Sequence, residues 1–129
     1  MNVVRRLKKR RKCFLDKLFK DIGIIFIMEQ IFTYGTLGEP AVQKKIFGRI
    51  IESKKDVLEG YEMSKIKIEN IYPIIVEKAD SSIEGLVISV TSRELKLADI
   101  YETKEYQREK LVLKSGKKAW VYIMPRNIE

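Results

Sequence analysis

Residues 30–38 read QIFTYGTLG, and this stretch decides how the rest of the sequence is interpreted. The apolar and aromatic run from Gln30 to Tyr34 predicts a first strand, which Gly35 ends. Glycines at positions 35 and 38 allow the backbone N–H groups between them to point into one concavity, which suits a carboxylate. A tight turn with a purely structural role gives the same pattern, so the residues alone leave both interpretations open.

Residues 99–108 form the second informative stretch and read DIYETKEYQR. Glu102 stands at the predicted C-terminus of a helix, where the negative end of the macrodipole opposes ionisation of a carboxyl group. Asp99 and Glu105 act in the same direction, whereas Arg108 is able to pair with any of the three and cancel the effect. A general base needs such tuning, and a solvated acidic turn is the plain alternative.

The remaining patterns predict an α+β domain. Thr91 and Glu94 form a capping-box sequence, T-x-x-E, that opens the helix before Glu102. Pro40 suits the first turn of a shorter helix, which Gly48 closes. The apolar side of the longer helix is expected to carry Leu97, Ile100 and Tyr101. Further strands are expected at 49–51, 57–61, 65–68, 72–77 and 84–90, with Pro73 at an edge or a strand start, and a terminal hairpin at 109–114 and 119–124 around the turn 114–117.

Composition excludes several kinds of catalytic and metal site. The 129 residues are enough for one ordinary domain and contain no histidine, which excludes Ser-His-Asp and Cys-His catalysis and histidine-containing zinc or iron sites. Cys13 is the only cysteine, so the chain forms no internal disulfide, and a free thiol in a reducing cytoplasm is expected. Proton transfer is therefore left to carboxylates, tyrosine or lysine.

The formal charge of +8 is concentrated at the start of the chain. Residues 1–28 hold nine of the 26 basic residues and two of the 18 acidic ones, so the rest of the chain is nearly neutral. We interpret residues 1–27 as a basic N-terminal extension and 28–129 as the domain. The extension is either an over-extended reading frame or leader before Met28, or a basic amphipathic helix for nucleic acid or an anionic membrane. In the second case its apolar face carries Phe14, Leu15, Leu18, Phe19 and Ile22.

The chain resembles the gamma-glutamyl cyclotransferase-like superfamily, which includes AIG2-like proteins and gamma-glutamylamine cyclotransferases. FTYGTL at residues 32–37 is similar to the opening strand and Y-G-T/S-L loop of that family, and Gly85-Leu86-Val87 to its G-x-V strand. Residues 94–108 are similar to its D-x-x-E-x(3)-Y-x-R stretch, and Tyr122 to a late tyrosine. The resemblance covers almost all of residues 30–124 and implies a small mixed β-barrel with flanking short helices.

The same resemblance implies a reaction and the residues that perform it. Glu102 would be the general acid/base in the conversion of a gamma-glutamyl amine or amino acid to 5-oxoproline. The backbone of residues Tyr34, Gly35, Thr36 and Leu37 would hold the substrate α-carboxylate, and Tyr106 and Tyr122 would face the substrate. Neither a cofactor nor a metal is implied, the location expected is cytoplasmic, and the oligomeric state is left open.

Two departures from the family pattern bear on the substrate. Glu39 brings an acid beside the expected carboxylate site, and Thr103-Lys104 replaces a common glycine turn after Glu102. The alternative function is a non-catalytic module of the same fold that binds a small carboxylate.

Overall fold

The computed structural model describes residues 28–64 and 74–123. The basic extension, the predicted strand at 65–68, Pro73 and the residues from 124 onward lie outside these ranges. The described elements are β1 (Glu29–Thr33), α1 (Pro40–Phe47), β2 (Ser53–Met63), β3 (Ile75–Val90), α2 (Ser92–Glu102), β4 (Gln107–Val112) and β5 (Lys118–Ile123), with short 3-10 helices at Thr36–Gly38 and Thr103–Glu105.

The five strands form one mixed sheet in the order β2-β3-β1-β5-β4. All neighbours are antiparallel except β1 and β5, which run parallel with Ile31 opposite Trp120. The predicted α+β class is thus confirmed, but the closed barrel is not. Within the described residues β2 and β4 form no ladder, although one backbone bond, from Lys114 N to Val57 O at 2.9 Å, joins the β4–β5 turn to β2. The sheet is therefore curled but open.

Alternation along the strands divides the core between the two faces of the sheet. Phe32 and Val121 belong to one buried cluster, while their chain neighbours Ile31 and Tyr122 belong to the other. Successive side chains of a strand point to opposite faces, so this division follows from the sequence. Residues Leu95 and Ala98 of α2 cover the second cluster. The two described helices, α1 and α2, are predicted correctly, including the end of α1 at Gly48, which is left-handed.

The N-terminus of α2 is fixed by its capping box and by an arginine. Glu94 N donates to Thr91 Oγ1 at 3.1 Å, and Thr91 N donates to Glu94 Oε1 at 2.9 Å, as predicted. Arg49 donates to both oxygens of Glu94, at 2.7 and 2.8 Å, and this pairing lowers the pKa of that carboxyl. The strand predicted at 49–51 is wrong. That segment is tied by side chains instead, because Ile51 N donates to Gln43 Oε1 at 2.9 Å.

The buried side of α2 also differs from the prediction. Leu95 and Ala98 are buried, whereas Ile100 is 71% exposed and Tyr101 is 38% exposed. Positions 95, 98 and 102 follow helical spacing, so the face that packs on the sheet continues to Glu102. The predicted terminal hairpin is confirmed over the described residues.

A tight contact between β3 and β1 leads to a first prediction. A Cβ atom at Gly85 would lie 2.5 Å from Phe32 Cζ and 2.6 Å from Thr33 O. Gly85→Ala is therefore expected to lower the free energy of unfolding by about 1–3 kcal/mol, since Phe32 must move within a packed core. Urea unfolding measures the change.

Gly35→Ala is the matched control for this substitution. A Cβ there meets nothing within 4 Å, and the backbone φ of Gly35 is −136°, which any residue adopts. Equal stability of the two alanine variants would contradict the close approach of the strands at Gly85.

Candidate active site

A cavity of about 350 Å³ lies at the ends of β1 and β5, beside the C-terminus of α2. Its walls are formed by Phe32, Thr33, Tyr34, Gly35, Thr36, Tyr101, Glu102, Thr103, Tyr106 and Tyr122. The parallel pairing of β1 with β5 brings the loop after β1 next to the end of β5, although the two are far apart in sequence. The cavity is thus a product of sheet topology.

Six of the seven predicted site residues meet in this cavity. Tyr34, Gly35 and Thr36 come from the loop after β1, and Glu102, Tyr106 and Tyr122 face them. The seventh, Leu37, is not part of the wall, because its side chain is buried in the core under α2.

Four wall residues were not predicted as site residues. Phe32 and Thr33 were assigned only to a strand, and Thr103 only to a departure from the family pattern. Tyr101 was expected on the apolar side of the helix, but its hydroxyl lies 2.6 Å from Thr36 Oγ1. The only feature of the sequence that could have indicated Tyr101 as a site residue is its position next to Glu102.

Glu102 is the last residue of α2 and is mostly buried in the cavity wall. Burial raises the pKa of its carboxyl from the ordinary value of 4.5 to about 7, because a charged carboxylate loses hydration there. Within the described ranges, no hydrogen bond or ion pair of this carboxylate is found. Glu102 is therefore a carboxyl group that exchanges its proton near neutral pH.

Asp99 holds the last turn of α2 against the sheet. Its Oδ1 atom accepts hydrogen bonds from Arg108 Nε at 2.8 Å and from Tyr122 Oη at 2.7 Å. The pairing that the sequence left open for Arg108 is thus made with Asp99. Since Asp99 precedes Glu102 by nearly one helical turn, the two bonds also fix the position of Glu102.

Two tyrosine hydroxyls of the cavity, those of Tyr34 and Tyr122, are oriented by hydrogen bonds. Burial, followed by the hydrogen bond to Asp99, raises the pKa of Tyr122 far above its ordinary value. Burial is also the main cause of the raised pKa of Tyr34, with smaller contributions from Tyr106 and Glu102. Tyr34 Oη donates to the carbonyl oxygen of Tyr122 at 2.5 Å, which links the loop after β1 to β5.

The loop after β1 contains backbone N–H groups that its short 3-10 helix leaves unpaired. Thr36 and Leu37 open a short 3-10 helix, so their N–H groups have no partner inside it. Gly38 N and Glu39 N, in contrast, bond to Gly35 O and Thr36 O at 3.2 and 2.9 Å. The loop can therefore donate to an anion at its start.

The chain is similar to a known protein family. Residues 31–129 match the family described as gamma-glutamyl cyclotransferase, AIG2-like. The chain belongs to this family. AIG2-like members include two curated Arabidopsis thaliana proteins. "Protein AIG2 C" is 37% identical over 79 residues, which are 60% of this chain and 47% of that protein. "AIG2-like protein C" is 32% identical over 80 residues, which are 61% of this chain and 46% of that protein. The chain thus spans about half the length of these relatives.

Solved structures share the fold. A solution structure of an Arabidopsis thaliana protein superposes with a TM-score of 0.65 and 31% identity, covering 76% of this chain and 62% of that one. A structure named "Gamma-glutamyl cyclotransferase" superposes with a TM-score of 0.58 and 14% identity, covering 77% of this chain and 68% of that one. At 14% identity the second comparison concerns the fold alone.

Neither described helix is long and apolar enough to cross a membrane. No cluster of three or more Asp, Glu, Cys or His side chains suited to a metal ion is found among the described residues.

Thr103 has a strained backbone. Its φ of 62° and ψ of −166° fall in a region that is essentially restricted to glycine. The residue stands directly after Glu102, the last residue of α2. The turn therefore keeps a glycine-like conformation although its residue is threonine.

Substitutions at Thr103 test this strain. Thr103→Gly is expected to be more stable than Thr103→Ala by about 1 kcal/mol, because only glycine relieves the backbone. This order is the reverse of the usual one, in which alanine is the more stable residue. Urea unfolding of both variants measures it, and an alanine variant as stable as the glycine variant would disprove the strained conformation.

The buried carboxyl of Glu102 makes stability depend on pH. Its folded pKa of about 7 exceeds the ordinary 4.5, so its stabilising contribution is full below pH 4.5 and is lost as pH rises through 7. Relative to Glu102→Gln, the wild type is expected to lose up to roughly 3 kcal/mol of unfolding free energy between pH 4.5 and 8. Urea unfolding of both proteins across this range measures the difference. A difference that does not change with pH would show that Glu102 is hydrated.

Proposed function

We propose that this chain is a gamma-glutamyl cyclotransferase, which releases 5-oxoproline from a gamma-glutamyl amine or amino acid by intramolecular aminolysis. The observation that carries the proposal is Glu102, a buried carboxyl with a pKa of about 7 in the wall of the cavity of about 350 Å³. Membership of the gamma-glutamyl cyclotransferase, AIG2-like family supports the same reaction class.

The substrate binds with its α-carboxylate at the loop formed by residues 34–37. The N–H groups at the start of the 3-10 helix donate to this carboxylate. Tyr106 and Tyr122 line the opposite wall with Glu102, so the γ-carbonyl lies between the loop and the end of α2. Since Tyr34 donates to the carbonyl oxygen of Tyr122, both walls are held at a fixed separation.

Glu102 then transfers one proton in two steps. Its carboxylate takes a proton from the substrate α-amino group, whose nitrogen attacks the γ-carbonyl carbon and closes a five-membered ring. The protonated Glu102 returns the proton to the nitrogen of the departing amine, and the bond between that nitrogen and the γ-carbon breaks. The products are 5-oxoproline and a free amine or amino acid, and Glu102 ends as it began. A pKa near 7 suits both steps, because each form is populated at neutral pH.

The chemistry requires few protein groups because both reacting atoms belong to one molecule. Effective molarities of well-oriented intramolecular reactions reach about 10⁵ M or more, and a positioned base adds roughly 10²–10⁴-fold. The proposal needs neither a cofactor nor a covalent nucleophile, which fits a chain without histidine. Cys13, the only cysteine, is consistent with a cytoplasmic setting, which we include in the proposal.

Glu102→Gln tests the proposal directly. The full chain is expected to release 5-oxoproline from members of a panel of gamma-glutamyl amines, amino acids and dipeptides. The Glu102→Gln variant is expected to lose about 10²–10⁴-fold in kcat/KM, since the amide accepts no proton. In the wild type, kcat/KM rises as pH increases through about 7, because Glu102 must be ionised to act as a base.

Glu105→Gln is the matched control, because Glu105 follows Glu102 closely in sequence and lies outside the cavity wall. It is expected to keep wild-type turnover. Absence of turnover across the whole panel would overturn the proposal and favour a non-catalytic module that binds small carboxylates.

A further inference from the structure

A second cleft, of about 470 Å³, lies beside the candidate active site. Thr103, Tyr106 and Tyr122 belong to the walls of both spaces, while Arg108 and Trp120 line only the cleft. The leaving group of a gamma-glutamyl substrate is attached to the γ-carbonyl and must extend out of the cavity. The shared walls make the cleft the adjoining space into which it can extend.

Arg108 is held rigidly in this cleft. In the β4–β5 pairing it stands opposite Tyr122, so both side chains lie on the face of the sheet that α2 covers. Its Nε donates to Asp99, and its guanidinium lies 4.3 Å from the centre of the Trp120 ring. One hydrogen bond and one ring contact together fix the plane of the guanidinium.

The outer edge of that guanidinium is not occupied by any residue that the structure describes. The side chain of Arg108 is 28% exposed, and its two terminal Nη groups have no hydrogen-bond partner within residues 28–64 and 74–123. These two groups form the fork that binds a carboxylate through two parallel hydrogen bonds. A carboxylate is thus a ligand that this edge fits.

Two positive charges border the Trp120 ring in this cleft. Lys110 lies on the same face of β4, with its Nζ atom 5.2 Å from the centre of the Trp120 ring. Two carboxylates lie close by and keep their charge. Asp99, which lines the cleft, accepts from Arg108 and Tyr122, and Glu29 accepts from Trp120 Nε1 at 2.9 Å.

We propose that the cleft is the leaving-group subsite and that Arg108 binds a carboxylate there, so that the substrates are gamma-glutamyl amino acids rather than gamma-glutamylamines. This inference rests on the proposed cyclotransferase function. It assigns Arg108 as a specificity-determining residue that does not touch the reacting atoms.

The test must separate this role from the structural bond between Arg108 and Asp99. Two ligands that differ only by one carboxylate do so, namely gamma-glutamylalanine and gamma-glutamylethylamine. Loss of the structural bond weakens both ligands, whereas loss of a carboxylate contact weakens only the first. The ratio of the two dissociation constants therefore reports the contact.

Calorimetric titration is made with the full-length Glu102→Gln protein, which binds without turnover. Gamma-glutamylalanine is expected to bind about 10- to 100-fold more tightly than gamma-glutamylethylamine, the range for hydrogen bonds to a charged group. Adding Arg108→Gln is expected to bring the ratio close to one. Adding Arg93→Gln, which removes one positive charge from exposed α2 surface outside both walls, leaves the ratio unchanged.

Three results would overturn the subsite. The ratio of the two dissociation constants is near one before Arg108 is replaced, the ratio is unchanged by Arg108→Gln, or neither ligand binds. Turnover of both compounds by the wild type with a ratio near one would refute the subsite and keep the cyclotransferase. A ratio that depends on Arg108 in a protein without turnover would keep the subsite and refute the cyclotransferase.

Discussion

The two hydrogen bonds that Asp99 accepts from Arg108 and Tyr122 hold the end of α2 against the sheet, and the candidate site depends on them. The carboxyl of Glu102 belongs to the next turn, so its removal from water follows from the anchoring of Asp99. Burying a carboxyl without a charged partner costs free energy. The packing of Leu95 and Ala98 offsets this cost. The pKa of the Glu102 carboxyl is raised to about 7 as a result of its burial.

Local signals in the sequence predicted local structure well. The capping box at Thr91, the left-handed Gly48 and the turn of the terminal hairpin each depend on a few adjacent residues. The errors arose where distant residues decide. The segment at 49–51 is not a strand because Arg49 bonds to Glu94 and Ile51 bonds to Gln43. The sheet stays open because, among the described residues, one backbone bond joins β2 to the β4–β5 turn, whereas closure needs a full ladder.

The site was predicted mainly through resemblance, and its electrostatics only in part. Six predicted residues share the cavity, but no sequence pattern showed that α2 is rotated to bury Glu102 rather than Tyr101. The sequence suggested the helix dipole and neighbouring acids as causes of a raised pKa, whereas burial is the cause that the structure gives for Glu102. Burial depends on tertiary packing, which spacing alone does not encode.

The parallel pairing of β1 with β5 has a consequence for how the molecule forms. Ile31 and Trp120 pair in the sheet although most of the chain separates them in sequence. The β1–β5 pairing therefore forms only after the long intervening segment has been ordered. Until β5 is added, β1 lacks one neighbour and exposes an unpaired edge that can join another chain. A ribosome must therefore release nearly all of these residues before the cavity at the ends of β1 and β5 exists, and a nascent chain that stalls before β5 is exposed to aggregation.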